Sequence, residues 1–123
     1  MGLIKLGVVA LDCPDPQALA DFYAEMLGWR VEGGGDWVEV AGPEGRALAF
    51  QRVADYRPPQ WPGQEVPQQL HLDFDVTRAD IDAAEDKVVA LGAKLVQRDE
   101  DGRDFRVYLD PAGHPFCLCL CNS

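Results

Sequence analysis

The residues of this chain best suited to chemistry lie in the stretch 69–76, where polar and apolar side chains alternate strictly. Such alternation is typical of a β-strand, whose successive side chains point to opposite faces. One face would carry His71, Asp73 and Asp75. The other face would cover a core with Leu70, Leu72, Phe74 and Val76. A histidine in line with two acids, in a chain with only two histidines, indicates that the polar face borders a cavity.

His71 has two interpretations. It could bind a ligand or act as an acid–base catalyst, because imidazole titrates near neutral pH. Alternatively, it is a structural side chain satisfied by a backbone carbonyl or by Asp73. Asp73 lies on the same face and could orient His71, although a solvated carboxylate explains it equally well.

Three of the four cysteines, Cys117, Cys119 and Cys121, alternate along one predicted strand. Alternate strand residues lie ~6.5 Å apart, so these thiols are poorly placed to converge on one metal ion. A nucleophilic cysteine would need an activated thiolate, with His71 as its base. The simpler interpretation is a row of small apolar side chains lining a cavity, with no disulfide framework.

Aromatic and charged residues supply further candidates for a binding site. Trp61 lies in a proline-rich loop and would either close over a ligand or dock the loop onto a sheet. Trp37 and Glu39 share one strand face, and Arg106 and Tyr108 share another. The sequence does not show which of these faces borders the cavity.

Composition excludes some classes of function. The chain has 123 residues, and its 21 acidic against 11 basic residues give a net charge of −10. This charge argues against nucleic acid as a partner and suits either a cationic ligand or simple solubility. No apolar run approaches the ~20 residues of a membrane span. Because the N-terminus lacks the features of a secretory signal, a cytoplasmic protein is expected.

The elements that position these residues form an internal repeat of strand, helix and three strands. In the first module (1–54), a strand at 4–11 precedes a helix at 17–27, with Asp15 as N-cap and Gly28 as the stop. A proline-rich connector (55–68) leads to the second module (69–123). There the strand at 69–76 precedes a helix over 78–91, with Thr77 as N-cap. The remaining strands are predicted at 29–32, 37–40, 46–53, 93–98, 105–109 and 116–121.

This repeat resembles the vicinal oxygen chelate superfamily of glyoxalases, bleomycin resistance proteins and dioxygenases. The resemblance rests on the order and spacing of several markers, which are Asp15, Phe22-Tyr23, Leu27-Gly28, His71, Leu91-Gly92 and the Asp-Pro-Ala-Gly turn at 110–113. The connector motif at 58–62 (Pro-Pro-Gln-Trp-Pro) is similar to that of the small glyoxalase-like branch. The resemblance implies one α+β domain (1–123), in which two βαβββ modules form a cupped mixed sheet. It also implies a homodimer.

Metal-dependent members of this superfamily hold a divalent ion with His and Glu ligands from the first and last strand of each module. Those places correspond to Gly7 or Val8, Ala49, His71 and Cys117. Only His71 is a standard ligand, and one imidazole with one thiol falls short of what a hard divalent ion requires. No cofactor is therefore predicted, and His71 and Cys117 remain as residual candidates for binding a divalent metal.

Three functions are open from the sequence. The first is metal-independent binding of a small molecule, including sequestration of an antibiotic. The residues predicted to line that pocket are His71, Asp73, Trp37, Glu39, Trp61, Tyr108 and Cys117. The second is an enzyme, a lyase, isomerase or dioxygenase with an atypical metal site around His71 that Asp73, Glu39 or Cys117 would complete. The third is a dimerising accessory domain with a vestigial pocket.

Overall fold

A computed structural model describes residues 2–100 and 102–121. The chain divides into two compact units, Met1–Tyr56 and Arg57–Ser123. Each unit contains one helix and one four-stranded mixed sheet, which confirms the predicted α+β class. Within the described residues, neither helix has the length and apolar character that crossing a bilayer requires.

The first unit is built around a helix that packs on one face of its sheet. Its elements are β1 (Val9–Cys13), α1 (Pro16–Leu27), β2 (Arg30–Gly34), β3 (Trp37–Gly42) and β4 (Gly45–Arg52). The strand order is β1-β4-β3-β2, with β1 parallel to β4 and the other pairs antiparallel. Tyr23 of α1 stacks on Phe50 of β4 at 5.6 Å between ring centroids, and both side chains are fully buried.

Helix α1 begins and ends where its sequence signals predict. The Asp15 carboxylate accepts a hydrogen bond from the Ala18 amide at 3.2 Å, and Pro16 takes the first helical position. At the other end, Gly28 adopts the left-handed conformation (φ 71°) and donates its amide to Ala24. Only glycine adopts this conformation without strain from a Cβ atom.

The second unit repeats the topology of the first. Its elements are β5 (Leu72–Thr77), α2 (Ile81–Ala90), β6 (Lys94–Gln97), β7 (Phe105–Leu109) and β8 (Pro115–Cys121). The strand order β5-β8-β7-β6 matches that of the first sheet element by element. Tyr108 stacks on Phe116 at 5.4 Å between ring centroids, and Phe74 meets Phe116 edge to face. The internal repeat is therefore confirmed.

The predicted boundaries were wrong at the start of each module. The first strand begins at Val9 rather than at residue 4, and Leu3, Ile4 and Leu6 are largely exposed. In the second module, β5 begins at Leu72 and α2 only at Ile81. Thr77 does not cap α2, because its hydroxyl donates to the Asp80 carboxylate at 3.0 Å and its carbonyl accepts the Asp80 amide. These bonds close a turn ahead of the helix.

Candidate ligand-binding site

One face of the second sheet carries a pocket. Asp73 on β5 pairs with Cys117 on β8, and Cys117 pairs with Val107 on β7. Directly paired residues in a sheet share a face, so these three side chains lie together. A cavity of about 290 Å³ opens there. Its lining residues are Trp61, Gln68, His71, Asp73, Gln97, Phe105, Val107, Pro115, Cys117 and Cys119.

His71 and Asp73 form a polar pair at the exposed side of this pocket. The His71 Nε2 and Asp73 Oδ1 atoms are 3.1 Å apart, and the two side chains are 40% and 57% exposed. His71 immediately precedes β5, and Asp73 is its second residue. In a neutral imidazole that donates through Nε2, the Nδ1 atom is the acceptor. The pair can therefore offer hydrogen-bond acceptors and a carboxylate charge to a ligand.

The cysteines supply the buried part of the lining. Cys117 is buried, and this burial raises the pKa of its thiol to about 12, with the Asp73 carboxylate adding to the effect. Burial likewise raises the pKa of Cys119. Because a nucleophilic cysteine needs a lowered pKa, these thiols behave as small apolar side chains. None of the four cysteines, all of which lie within the described residues, forms a disulfide.

The connector contributes one wall. Its residues 60–67 fold back on themselves through a hydrogen bond from the Gln60 amide to the Val66 carbonyl and a bridge between Gln60 and Pro67. This folding brings both Trp61 and Gln68 to the pocket.

The hairpin turn between β7 and β8 supports the connector. A Cβ atom on Gly113 would lie 2.8 Å from the Cβ of Pro58, so the connector rests directly on this turn. The buried Asp110 carboxylate fixes the turn by accepting the amides of Ala112 and His114 at 2.9 and 3.0 Å.

The structure places Tyr108 outside the pocket. Phe105 and Val107 line the cavity, so Arg106 and Tyr108, which alternate with them, point to the opposite face. Tyr108 is fully buried there and donates its hydroxyl to Glu85 of α2 at 2.8 Å. Burial and this nearby carboxylate raise the pKa of Tyr108. Its role is to pack the sheet against α2.

Trp37 and Glu39 belong to the first unit, where they form a polar cluster of their own. The Trp37 indole donates to the Glu39 carboxylate at 2.9 Å, and Arg46 donates to the same oxygen at 3.1 Å. The bond from Trp37 is the main reason that the pKa of Glu39 is lowered. The lining of the pocket described above comes entirely from the second unit.

Sequence reasoning missed half of the lining residues, which are Gln68, Gln97, Phe105, Val107 and Pro115. Phe105 and Val107 could have been found by alternation once Arg106 and Tyr108 were assigned to the helix-covered face. Gln68 and Gln97 carry no such signal, because their positions depend on the path of the connector and on an irregularity in the pairing of β6 with β7.

Comparison with known families agrees with this architecture. A family model described as a glyoxalase-like domain matches residues 8–119. The chain belongs to this glyoxalase-like family. The resemblance to the vicinal oxygen chelate superfamily is thereby confirmed. No curated protein matches the sequence significantly.

Solved structures share the fold of this glyoxalase-like protein at low sequence identity. A glyoxalase/bleomycin resistance protein/dioxygenase family enzyme from Burkholderia phytofirmans PsJN aligns with a TM-score of 0.74 and 16% identity, over 95% of this chain and 98% of its own. The fosfomycin resistance protein FosX from Mesorhizobium loti aligns with a TM-score of 0.71 and 15% identity, over 96% and 92%. A mutant FosX from Listeria monocytogenes, complexed with Mn(II) and a dihydroxypropylphosphonic acid, aligns with a TM-score of 0.69 and 12% identity, over 99% of this chain and 95% of its own.

The donor set of the glyoxalase-like pocket fits zinc better than manganese. His71, Asp73 and Cys117 offer one nitrogen, one carboxylate oxygen and one thiol within 4.8 Å of one another. Zn²⁺ accepts this combination, whereas Mn²⁺ prefers oxygen-rich sites. The thiol would have to lose its proton to bind, against a raised pKa. Of the places where superfamily members carry their other ligands, Val8 and Ala49 have no donor side chain.

Proposed function

We propose that this glyoxalase-like protein binds a small organic molecule in the pocket of its second unit, without a resident metal ion. The observation that carries the proposal is the division of the lining into two regions. A mostly apolar floor of Phe105, Val107, Pro115 and the two cysteines is bordered by polar side chains, which are the His71–Asp73 pair, Gln68 and Gln97. Small-molecule sites typically combine an apolar cavity with a few polar groups that fix orientation.

Each region has a distinct physical role in binding. Burial of the ligand's apolar surface on the floor supplies most of the affinity, at roughly 25 cal/mol for each Å² removed from water. Trp61 adds an aromatic face from the connector. The His71–Asp73 pair selects ligands by hydrogen bonding and charge. Sequestration of a drug is one activity that such a pocket supports.

A fragment screen by ligand-observed NMR in the presence of EDTA tests this proposal. Cys117→Phe should abolish the binding of every hit, because the added ring occupies the cavity. The matched control is Cys121→Phe on the same strand and the same face, since Cys121 does not line the cavity. Hits that bind Cys117→Phe as well as the unmodified protein would contradict the proposal.

The grouping of His71, Asp73 and Cys117 favours a second candidate function. It is a metal-dependent lyase, isomerase or dioxygenase, in which these three residues would hold the ion. A zinc ion there would supply a Lewis acid that polarises a substrate oxygen. Titration with Zn²⁺ and Mn²⁺ separates the candidates through thermal stability. Stoichiometric binding that His71→Ala and Asp73→Asn both abolish would favour the enzyme.

We also propose that the protein is a homodimer built from single glyoxalase-like domains. The exposed apolar side chains of Leu3, Ile4 and Leu6 support this assembly, because such groups gain from burial against a partner. Light scattering after size exclusion should give twice the mass of the 13.5 kDa chain. A monomer at all accessible concentrations would refute the proposal.

A further inference from the structure

The charge of the pocket lining is one-sided. Asp73 contributes a carboxylate, and none of the described residues that line the cavity is a lysine or an arginine. Cys117 and Cys119 contribute thiol groups and no fixed charge to the lining. The Nε2 atom of His71 lies 3.1 Å from the Asp73 carboxylate, so this imidazole is already paired with the acid. The lining therefore offers an anionic ligand no lysine or arginine to balance its charge.

The wall of the pocket also holds an acceptor that lacks a donor. Gln68 lines the cavity, and its buried Oε1 atom has no hydrogen-bond partner among the described residues. A buried polar atom without a partner is destabilising, and native structures contain few of them. The terminal torsion of glutamine is broad, so the amide can turn toward a donor that enters the cavity.

Aromatic rings complete the set of contacts. Trp61 and Phe105 both line the cavity. The face of an aromatic ring is negative in its quadrupole and attracts cations, with tryptophan the strongest of the side chains. The same rings also pack against an aromatic ligand. The volume of about 290 Å³ lies at the lower end of the ~300–1,000 Å³ that is typical of small-molecule sites, which favours a compact ligand.

From these features we propose that the ligand is a compact organic cation that joins an aromatic ring to an N–H-bearing ammonium or amidinium group. The cationic group binds Asp73 and offers a donor to Gln68, while the ring packs against Trp61 and Phe105. This inference rests on the proposed function and adds to it the chemical class of the ligand.

Four probes with one ring system separate charge from shape. Tryptamine is cationic with N–H donors, its N,N,N-trimethyl derivative is cationic without ammonium N–H groups, tryptophol is neutral, and indole-3-acetate is anionic. Isothermal titration calorimetry in EDTA should show tryptamine binding about fivefold more tightly than tryptophol, as expected for a charge pair with the half-exposed Asp73 carboxylate. The trimethyl derivative should be intermediate, and indole-3-acetate the weakest.

Variants of the acidic strand test the assignment to Asp73. Asp73→Asn should reduce the affinity for tryptamine to that for tryptophol. Asp75→Asn is the matched control, because Asp75 lies on the same strand and face but does not line the cavity. It should change the affinity for tryptamine less than threefold. Gln68→Leu should weaken the binding of tryptamine more than that of the trimethyl derivative.

The possible failures are distinguishable. If tryptophol or indole-3-acetate binds as tightly as tryptamine, and Cys117→Phe abolishes that binding, the inference about charge is wrong and the proposed function stands. An affinity for tryptamine that Asp73→Asn leaves unchanged would also overturn the inference. If no probe of any charge binds, and the fragment screen yields no hit that Cys117→Phe blocks, both the inference and the proposed function are wrong.

Discussion

Replacement of Arg106 by methionine should destabilise the second unit by about 2–3 kcal/mol. The guanidinium donates to Asp99 at 2.6 Å, to Asp82 at 3.0 Å and to Glu85 at 3.2 Å, and its side chain is only 8% exposed. Burial by itself would lower the pKa of Arg106, but the bonds to Asp99 and Asp82 outweigh it and raise the pKa. Methionine retains the apolar stem and removes the charge.

The expected magnitude follows from what the substitution leaves behind. Loss of one partner from a buried ion pair costs about 3–5 kcal/mol. Glu85 is 13% exposed. Without Arg106, its carboxylate would still accept the Tyr108 hydroxyl and pair with Arg98 at 3.4 Å among the described residues. Asp82 is 87% exposed, so water can solvate its carboxylate after the substitution, and the expected loss of stability is smaller than for a fully buried pair. For a chain of this size, the loss corresponds to a fall in Tm of about 10 °C.

Urea unfolding followed by circular dichroism measures this change. Arg30→Met is the matched control, because the Arg30–Glu32 pair is exposed on both sides (67% and 45%) and should contribute less than about 0.5 kcal/mol. The double variant Arg106→Met/Glu85→Gln should recover part of the lost stability, since it removes both buried charges and keeps an oxygen that can accept the Tyr108 hydroxyl. A loss below 0.5 kcal/mol for Arg106→Met would refute the reasoning.

Three further predictions concern the lining, the hairpin turn and acid stability. Iodoacetamide at pH 8 should modify Cys117 roughly 50-fold more slowly than an ordinary thiol. Its pKa of about 12 against a usual 9.0 leaves far less thiolate, and the higher nucleophilicity of that thiolate offsets only part of the loss. Peptide mass spectrometry measures the rate. Gly113→Ala should lower the free energy of unfolding by about 1–3 kcal/mol, because φ is +91° and the new Cβ would meet Pro58 at 2.8 Å. The hydrogen bond from Arg106 lowers the pKa of Asp99 in the folded protein. The ionised Asp99 carboxylate therefore stabilises the fold fully above its unfolded pKa of about 3.9, and this stabilisation is lost as pH falls through the folded pKa. Asp99→Asn should flatten the dependence of stability on pH below pH ~4.

Each of these predictions has an internal comparison. Gly35→Ala also places a side chain at positive φ (+75°) but meets no atom within 4 Å, so it isolates the backbone contribution from the contact with Pro58. An equal loss in both glycine variants would contradict the role of that contact. Alkylation of Cys117 as fast as that of a small free thiol would contradict its burial. An unchanged acid profile in Asp99→Asn would refute the assignment to Asp99.

Most of the fold could be predicted from the sequence because its signals are local. Asp15 with Pro16 marks the start of α1, Gly28 marks its end, and the second module repeats the same order of elements. The boundaries that failed depend on competition between local structures. The Thr77 hydroxyl bonds Asp80 instead of capping α2, and a sequence pattern does not distinguish these alternatives.

The candidate site was predictable only as far as strand alternation reaches. It assigns Asp73 to the polar face of its strand and Cys117 to the cysteine-lined face of another strand, and the structure pairs the two residues directly. It does not reveal that the face with Arg106 and Tyr108 lies under α2, because Asp82 and Glu85, which bind these residues together with Asp99, come from a helix elsewhere in the chain. The position of Gln68 depends on how the connector folds, which its proline-rich composition does not specify.

The central claim is that the pocket binds a small organic molecule without metal. Protein-observed NMR of the best fragment hit, in EDTA, tests it most directly, because chemical-shift changes report where the ligand binds. We expect saturable changes concentrated at Trp61, His71, Asp73 and Cys117, with no need for added ions. Changes that occur only after addition of Zn²⁺, or that lie away from these residues, would contradict the central claim.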